Sequence, residues 1–435
     1  MKDARLIAAE ALLKLEQRQA WSNLTLDHAL EHHTLKPEEA AFAAALFYGV
    51  IERRITLDAC IAAHSAKKPE KLDAAVLCAL RLGVYQILYM NSIPHSAAVD
   101  ESVKLVKKLR KTQASGYVNG VLRSFLRAGA HIPLPEQPLS LRLSVEFSCP
   151  EPLVKSWLSA YGEEAVRRFL SGSVGRAPTA LRVNTLRTTP QELMERLAEE
   201  QIAATLHPHI PNCLMAEGGA LHKTKAFQQG LFHLQDPASQ LCALALGASS
   251  GMRVLDACAA PGGKSFTIAQ QMNNQGELIA CDLHPKRVGL IEKRAREMGL
   301  DCIQAQSRDM TRYAPELGTF DRVLCDVPCS GYGVIRRKPE IKYKGLEEIS
   351  ELPNIQYKIL ETTAQYCKVG GVLLYSTCTI HPAENGEVRE KFLAAHPEFS
   401  PLPLGGLLGE DSQRTLMGEW DADGFYLAAF RREKP

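Results

Sequence analysis

The sequence predicts a multidomain protein with an all-α N-terminal domain, a small α/β middle region and a C-terminal α/β domain built on an open parallel sheet. Three observations predict this class. Ala, Leu and Glu dominate roughly the first 130 residues, with little β-branched alternation. Three prolines then follow within residues 133–138, where no helix can continue. From about residue 236 onward, short apolar runs alternate with helical stretches, which is typical of a parallel sheet with crossover helices.

These observations divide the chain of 435 residues into three parts. Residues 1–139 are the predicted helical domain with its proline-rich linker, 140–235 the small α/β region, and 236–435 the C-terminal domain. In the middle region, residues 180–184 are predicted to form a strand. Thr189 and Pro190 are predicted to begin a helix.

Composition and charge limit the classes of function. Hydrophobic residues make up 46% of the chain, which is sufficient for several cores. The formal net charge is +2, so a nucleic-acid surface must be local, and the first 140 residues hold 18 Lys and Arg against 14 Asp and Glu. The 12 cysteines show neither paired CxxC spacing nor a zinc pattern, and no metal site is predicted. No secretory signal or transmembrane-length apolar run is apparent, so we expect a cytoplasmic protein without a membrane partner.

A glycine turn in the C-terminal domain predicts a nucleoside site. Residues 253–256 read as a strand, and Gly262 and Gly263 precede a helical stretch, so the backbone can approach a ligand closely. A phosphate-binding P-loop is excluded because Cys258 occupies the position of its first glycine, and the dinucleotide fingerprint is absent. Asp282 ends the next strand about twenty residues later, where a carboxylate meets ribose hydroxyls. A nucleoside without pyrophosphate is therefore predicted, and S-adenosylmethionine fits this description.

Two cysteines follow apolar runs that read as buried strands. Cys329 comes after the run 322–325, and Cys378 after 371–374. In an open parallel sheet both would emerge at the carboxyl edge, where ligands bind. A thiol there can act as a nucleophile once it is deprotonated. Two such thiols suggest a reaction that forms a covalent adduct and must later break it.

Three segments together resemble the RNA 5-methylcytosine methyltransferases. They are Cys-Ala-Ala-Pro-Gly-Gly-Lys (258–264), Asp-Val-Pro-Cys-Ser-Gly (326–331) and Ser-Thr-Cys-Thr (376–379). Residues 333–342 and 423–430 resemble the RsmB (Fmu or Sun) branch, which methylates a cytosine of small-subunit (16S) ribosomal RNA. The resemblance implies a Rossmann-like, S-adenosylmethionine-dependent catalytic domain. The chain departs from the family at Val327 and Tyr332, and neither change removes a group that the chemistry needs.

The N-terminal domain resembles NusB, an RNA-binding helical fold, through residues 81–90, 93–94, 97–103 and 118–123. The middle region resembles an RRM-like module, chiefly through residues 181–185. Asp100 is predicted to cap a helix with an apolar side and an opposite basic side. The basic side, which we call the lysine face, is a candidate RNA-binding surface or simply a solvated face, and it consists of Lys104, Lys107, Lys108 and Lys111.

The resemblance also implies roles for the site residues. In the RNA enzymes the Thr-Cys thiol attacks the base, which implies that Cys378 is the nucleophile, and the Pro-Cys thiol assists release, which implies that role for Cys329. In the DNA cytosine enzymes the Pro-Cys thiol attacks instead, which would make Cys329 the nucleophile. Asp326 is expected to bind the base edge and border the methyl donor, and Lys264 to act in the catalytic site. The predicted cofactor contacts are Cys258, Ala259, Ala260, Pro261, Gly262, Gly263, Lys264, Asp282, Asp309 and Asp326, with Asp309 accepting from the adenine amine.

Two other classes of function remain open from the residues. One is a non-catalytic RNA scaffold, which would need neither thiol nor the glycine turn. The other is a methyltransferase acting on a small molecule or a protein, which would need no covalent adduct. The expected partner is 16S ribosomal RNA, and we expect a monomer.

Overall fold

The computed structural model describes residues 3–18, 26, 29–30 and 35–435. It contains two compact units. The first comprises the described residues up to Val174 together with Lys338–Lys344, and the second comprises Gly175–Arg337 and Gly345–Pro435. A short segment late in the sequence therefore belongs to the helical first unit.

The first unit is all-α, as predicted. Its helices are α1 (Ala4–Arg18), α2 (Pro37–His64), α3 (Ala74–Tyr89), α4 (His95–Lys108), α5 (Ser115–Arg127), α6 (Leu139–Phe147) and α7 (Glu151–Gly172). Phe47, Leu80 and Phe125 are buried in a shared apolar core. The segment Lys338–Lys344 is fastened to α2, since Tyr343 Oη donates to the carbonyl of Ile51 at 2.8 Å.

The prediction that Asp100 caps a helix is wrong. Helix α4 begins at His95, directly after Pro94 in an extended conformation, so Asp100 lies in the helix interior. The predicted two-sided character is confirmed within α4, because Leu105 and Val106 are buried while Lys104, Lys107 and Lys108 are exposed. The placement of Lys111 on the same helix face is wrong, since α4 ends at Lys108. The fixed backbone of the proline, rather than the acidic side chain, defines where this helix starts.

The second unit begins with a small antiparallel sheet. Its elements are β1 (Thr179–Val183), α8 (Pro190–Glu199), β2 (Ala203–Leu206), β3 (Cys213–Glu217), α9 (Lys225–Gln228) and β4 (Phe232–Leu234), with strand order β2-β3-β1-β4. The succession β-α-β-β-α-β is that of a ferredoxin-like module. The predicted start of α8 is confirmed, since the Thr189 hydroxyl accepts from the backbone N–H of Glu192.

A larger mixed sheet occupies the rest of this unit. Its elements are α10 (Pro237–Ala245), β5 (Arg253–Asp256), α11 (Gly263–Gln271), β6 (Glu277–Asp282), α12 (Pro285–Met298), β7 (Ile303–Ser307), β8 (Phe320–Asp326), α13 (Leu352–Ala364), β9 (Cys367–Thr377), α14 (Gly386–Ala395), β10 (Phe399–Pro401), β11 (Gln413–Leu416) and β12 (Phe425–Arg432). The order is β10-β12-β9-β8-β5-β6-β7, with β11 beside β12. Strands β5 to β9 pair in parallel, as predicted, and β12 joins antiparallel to β9.

This topology determines where a ligand can bind. Strand β5 lies between β6 and β8. The chain first adds β6 and β7 on one side of β5 and then crosses to the other side to add β8, so the order of the strands reverses beside β5. Open α/β sheets bind ligands at the carboxyl ends of strands at such a reversal. Asp256, Asp282 and Asp326 end β5, β6 and β8 at that edge. The interior residues of these strands are almost all apolar and buried, so the polar side chains are concentrated at the edge.

Membrane spans and metal clusters are both absent from the described residues. None of the helices there has both the length and the apolar character needed to cross a membrane. The same residues contain no cluster of three or more potential metal ligands.

Candidate active site

The two predicted thiols contact each other. Cys378 immediately follows β9, and Cys329 lies three residues beyond the end of β8. Because β8 and β9 are parallel neighbours, their ends meet at one edge, and the Cys329 and Cys378 Sγ atoms are 3.3 Å apart. Both side chains are half-buried.

The contact makes the two thiols electrostatically unequal. A hydrogen bond with Cys329 lowers the pKa of Cys378, the Lys264 charge acts in the same direction, and burial and the Asp326 charge oppose them. The same hydrogen bond, followed by burial, raises the pKa of Cys329 well above that of an ordinary thiol. Cys378 is therefore the thiol of the pair with the lower pKa, while either sulfur can donate the hydrogen in the contact between them.

A lysine–carboxylate pair lies beside the thiols. Lys264 Nζ donates to Asp326 Oδ2 at 2.7 Å, and Ser376 Oγ donates to Asp326 Oδ1 at 2.7 Å. Burial disfavours the ammonium, but the charge and hydrogen bond of Asp326 together with the neighbouring Cys242 and Cys378 outweigh burial and raise the pKa of Lys264. Lys264 also lies over the ring of Phe425, 5.1 Å from its centre. The pair thus presents a fixed positive charge and a fixed acceptor at the strand edge.

A cavity of about 350 Å³ opens beside this pair, within the size range of small-molecule sites. The glycine turn contributes much of its lining, which includes Ala259, Ala260, Pro261, Gly263, Lys264 and Asp326. Cys258 and Gly262, predicted as cofactor contacts, are not among the lining residues. Gly262 instead has φ +107°, and a Cβ there would lie 2.4 Å from the Phe266 ring, so the turn requires glycine. Burial raises the pKa of the Cys258 thiol well above its usual value.

The cavity also has polar lining residues that the sequence reasoning missed. Arg337 pairs with Asp236 (Nη2 to Oδ2, 2.8 Å) and Asp423 (Nε to Oδ2, 2.6 Å). Asp256 Oδ2 accepts from Ser265 at 2.6 Å, whereas none of the described residues forms a hydrogen bond with its buried Oδ1. Burial raises the pKa of Asp256 and of Asp423 to about 7. Asp256 could have been found as the acid that ends a predicted strand.

Asp282 and Asp309 lie in different surroundings. Asp282 is buried; its Oδ1 accepts from the backbone N–H of His284 at 2.9 Å, and its Oδ2 pairs with Arg287 at 3.0 Å. Asp309 lies two residues beyond β7 and lines a separate cavity of about 270 Å³. Hydrogen bonds from Thr311 lower the pKa of Asp309. Neither Asp282 nor Asp309 therefore lines the cavity beside Lys264.

The lysine face of the first unit is largely ion-paired. Lys104 contacts Glu101 at 2.7 Å, Lys111 contacts Asp73 at 2.6 Å, and Lys108 pairs with Asp3. Among the described residues Lys107 has no such partner. Exposed ion pairs of this kind contribute about 0–1 kcal/mol, so they exchange readily for other anions.

Known protein families match all three parts of the chain. Residues 243–431 match the family description "16S rRNA methyltransferase RsmB/F", 2–127 match the NusB family, and 149–220 match a ferredoxin-like domain of RsmF/B-like methyltransferases. The "Probable ribosomal RNA small subunit methyltransferase B" of Bacillus subtilis is 38% identical over 98% of both chains. The protein of the same name from Synechocystis is 32% identical over 99% of this chain and all of the relative.

Solved structures share the fold. The structure "PH0851" superposes with a TM-score of 0.78 at 24% identity, covering 99% of both chains. The structure of "NSun6 from Pyrococcus horikoshii with SFG" gives a TM-score of 0.61 at 20% identity, covering 66% of this chain and 99% of that one.

Proposed function

The chain belongs to the RsmB/F family of 16S rRNA methyltransferases, and on that premise we propose that it methylates C5 of a cytosine in small-subunit rRNA, using S-adenosylmethionine. The observation that carries this proposal is the Cys329–Cys378 contact at 3.3 Å, beside the Lys264–Asp326 pair. Transfer to a nitrogen, an oxygen or a carboxylate needs no covalent adduct and would have no use for two adjacent thiols.

The chemistry of cytosine explains the need for a thiolate. C5 is too weakly nucleophilic to attack a methyl sulfonium unaided. Addition of the Cys378 thiolate to C6 forms an S–C6 bond and turns the ring into an enamine, in which C5 can attack. The C5–methyl bond forms as the methyl–sulfonium bond breaks and S-adenosylhomocysteine leaves. The adduct then gives its C5 proton to water, the C5–H electron pair forms the C5=C6 double bond, and the S–C6 bond breaks with its electron pair returning to sulfur. Hydrogen bonding from the Cys329 thiol stabilises the departing Cys378 thiolate.

Asp326 and Lys264 have the charges and hydrogen-bonding groups that are needed to bind the edge of the cytosine base. Negative charge develops on the ring as the thiolate adds, and a fixed positive charge stabilises it most effectively in a site with little water. Lys264 supplies that charge, and Asp326 can accept from the exocyclic amine of cytosine. Ser376 and Lys264 together orient the Asp326 carboxylate, so little reorganisation accompanies the reaction.

The cavity residues fit S-adenosylmethionine, which supplies the methyl group when bound. The unpartnered Asp256 Oδ1 offers a buried acceptor, and the glycine turn exposes backbone to the ligand. Asp282 does not line the cavity, but it accepts only two contacts, and an ionised carboxylate has about four acceptor positions, so ribose hydroxyls can still be bound. We propose that Asp309 accepts a hydrogen bond from the adenine amine. We also propose the predicted cofactor contacts in the turn 258–264 and the predicted domain boundary at 235/236. The compact helical unit extends to Val174, so the predicted boundary at 139/140 does not coincide with its end.

The NusB-family domain is proposed to bind the RNA, with the lysine face contacting phosphates. The match to this family covers residues 2–127, and the exposed ion pairs there would exchange for phosphate at low cost. A monomeric, cytoplasmic enzyme remains our expectation.

The direct test is nucleoside analysis of small-subunit rRNA from cells that lack the enzyme, incubated with the protein and S-adenosylmethionine. We expect 5-methylcytosine with the wild-type chain and none with Cys378→Ala. The matched control is Cys302→Ala, a buried cysteine outside the thiol pair, which should retain activity. Methylation of another atom, or 5-methylcytosine formation by folded Cys378→Ala, would contradict the proposal.

A further inference from the structure

Two adjacent residues, Glu384 and Asn385, contact both thiol-bearing turns. They lie between the Cys378 turn and helix α14, and both are completely buried. Both fall within the matched residues 243–431 but outside the short motifs that the sequence analysis identified. Their side chains nevertheless hold the residues on either side of each thiol.

Glu384 holds the turn that carries Cys329. Its Oε2 accepts from the Ser330 backbone N–H at 2.8 Å, and its Oε1 accepts from Ser330 Oγ at 2.6 Å. Gln356 Nε2 donates both to Glu384 Oε2 at 2.9 Å and to the carbonyl of Pro328 at 3.0 Å. The residues before and after Cys329 are therefore fixed through one carboxylate.

Asn385 holds the turn that carries Cys378 in the same manner. Its Oδ1 accepts from Thr377 Oγ1 at 2.7 Å, and its Nδ2 donates to the carbonyl of Thr379 at 3.0 Å. The hydroxyls of Ser330 and Thr379 are 2.8 Å apart and join the two turns directly. Both neighbours of each thiol thus belong to one hydrogen-bonded network.

We propose that Glu384 and Asn385 are positioning residues, the Glu-Asn clamp, which hold the Cys329 and Cys378 sulfurs in contact. The inference rests on the proposed function, in which one thiol adds to the base and the other assists its release. Misplacement of a reacting group by about 1 Å can cost about a hundredfold in rate. Loosening either turn should therefore lower kcat more than it raises the KM for RNA.

The charge of Glu384 supports the different roles of the two thiols. Among the described residues no lysine or arginine forms an ion pair with Glu384, so its charge is not neutralised locally. That charge contributes to the raised pKa of Cys329, after the hydrogen bond with Cys378 and burial, and Asp326 acts in the same direction. Cys378 faces Lys264 as well as Asp326 and Asp423. The negative charge of Glu384 thus favours the protonated form of Cys329, the thiol that is proposed to donate a hydrogen bond to Cys378.

Two substitutions distinguish the effect of the hydrogen bonds of Glu384 from the effect of its negative charge. In Glu384→Gln the amide oxygen can accept from the Ser330 N–H while the amide nitrogen donates to Ser330 Oγ, which then donates to Thr379. Glu384→Ala removes the contacts altogether. Glu390→Gln makes the same chemical change at an exposed position of α14 and is the matched control. Ser330→Ala breaks the link between the turns with a smaller change, should Glu384→Ala not fold.

The test is the rate at which diamide oxidises Cys329 and Cys378 to a disulfide, followed by peptide mass mapping, with kcat and KM measured alongside. We expect Glu384→Ala, Asn385→Ala and Ser330→Ala to cross-link at least about tenfold more slowly than wild type. Glu384→Gln and Glu390→Gln should stay within about threefold. Folded alanine variants that cross-link and turn over like wild type would overturn the clamp. If the wild-type chain makes no 5-methylcytosine but cross-linking still slows, the proposed function fails while the clamp stands.

Discussion

Asp282 ends strand β6 and is the carboxylate that we assign to ribose. Replacement by alanine should weaken S-adenosylmethionine binding by about 1.5–3 kcal/mol, the range for a hydrogen bond to a charged group. This corresponds to roughly a ten- to hundredfold higher Kd by titration calorimetry. The control is Asp301→Ala, which removes an exposed carboxylate just before β7. Wild-type affinity in Asp282→Ala would place the ribose contact elsewhere.

Asp256 gives a prediction on stability as a function of pH. Burial raises its pKa from 3.8 to about 7, so between these values the unfolded chain loses a proton that the folded protein keeps. The stability of the protein therefore falls as pH rises through this window. Asp256→Asn cannot titrate and should remove that fall, which is on the order of a few kcal/mol at about 1.4 kcal/mol per pKa unit.

The measurement is the melting temperature of wild type and Asp256→Asn from about pH 3.5 to 8, a range that spans both pKa values. The difference between the two should move in favour of the variant as pH rises and level off above about pH 7. Asn can still accept from Ser265 Oγ, so the local hydrogen bond is kept. Parallel profiles would show that the pKa of Asp256 is the same in the folded and the unfolded chain.

Among the elements, the start of β12 is held close to the Cys378 turn by Gly333. The Gly333 N–H donates to the carbonyl of Cys378 at 3.0 Å, and its carbonyl accepts from the Gly424 N–H at 2.9 Å. A Cβ at Gly333 would lie only 1.8 Å from the Gly424 carbonyl oxygen. Gly333→Ala must therefore separate these segments.

We expect Gly333→Ala to lower the melting temperature and to reduce methylation strongly. Gly289→Ala is the control, because a Cβ at this exposed position of α12 meets nothing within 4 Å. It should stabilise the helix by about 0.5–1 kcal/mol and leave activity unchanged. Full activity in Gly333→Ala would mean that the close approach of the segments is dispensable.

The elements that the sequence predicted well are those with a local signal. Apolar runs that end at Asp282, Asp326 and Cys378 are buried strands of the sheet, because continuous burial leaves a clear pattern. The start of α4 was misplaced because Asp100 resembles a cap, whereas Pro94 follows a turn and directly precedes the helix. Capping preferences are weaker than the backbone restriction of proline.

The sequence predicted only those residues of the candidate site that lie in recognisable motifs. The Arg337–Asp423 pair joins residues 86 positions apart, and the Glu-Asn clamp depends on hydrogen bonds from several separate turns and helices. Such interactions depend on tertiary packing and leave no periodic signal in the chain. The ion pairs of Lys108 and Lys111 were missed for the same reason, since Asp3 and Asp73 are distant in sequence.

At the scale of the whole molecule, the lysine face should supply RNA affinity that does not depend on sequence. Replacing Lys104, Lys107, Lys108 and Lys111 with glutamine should weaken RNA binding. The slope of log K against log salt should become shallower by roughly 0.7–0.9 for each phosphate that a lysine no longer neutralises. Lys155→Gln, an exposed lysine of α7, is the control. An unchanged slope in the folded quadruple variant would mean that these lysines are merely solvated.

The central claim is that the two thiols have different roles. The measurement that tests it most directly is denaturing gel electrophoresis of Cys378→Ala and Cys329→Ala after incubation with rRNA and S-adenosylmethionine, once thermal melts show that both are folded. Cys378→Ala should form no covalent RNA complex and no product, because the ring is never activated. Cys329→Ala should attack and methylate the base and then accumulate as an RNA-linked protein. The inverse pattern, with the complex in Cys378→Ala and none in Cys329→Ala, would make Cys329 the nucleophile and contradict the account.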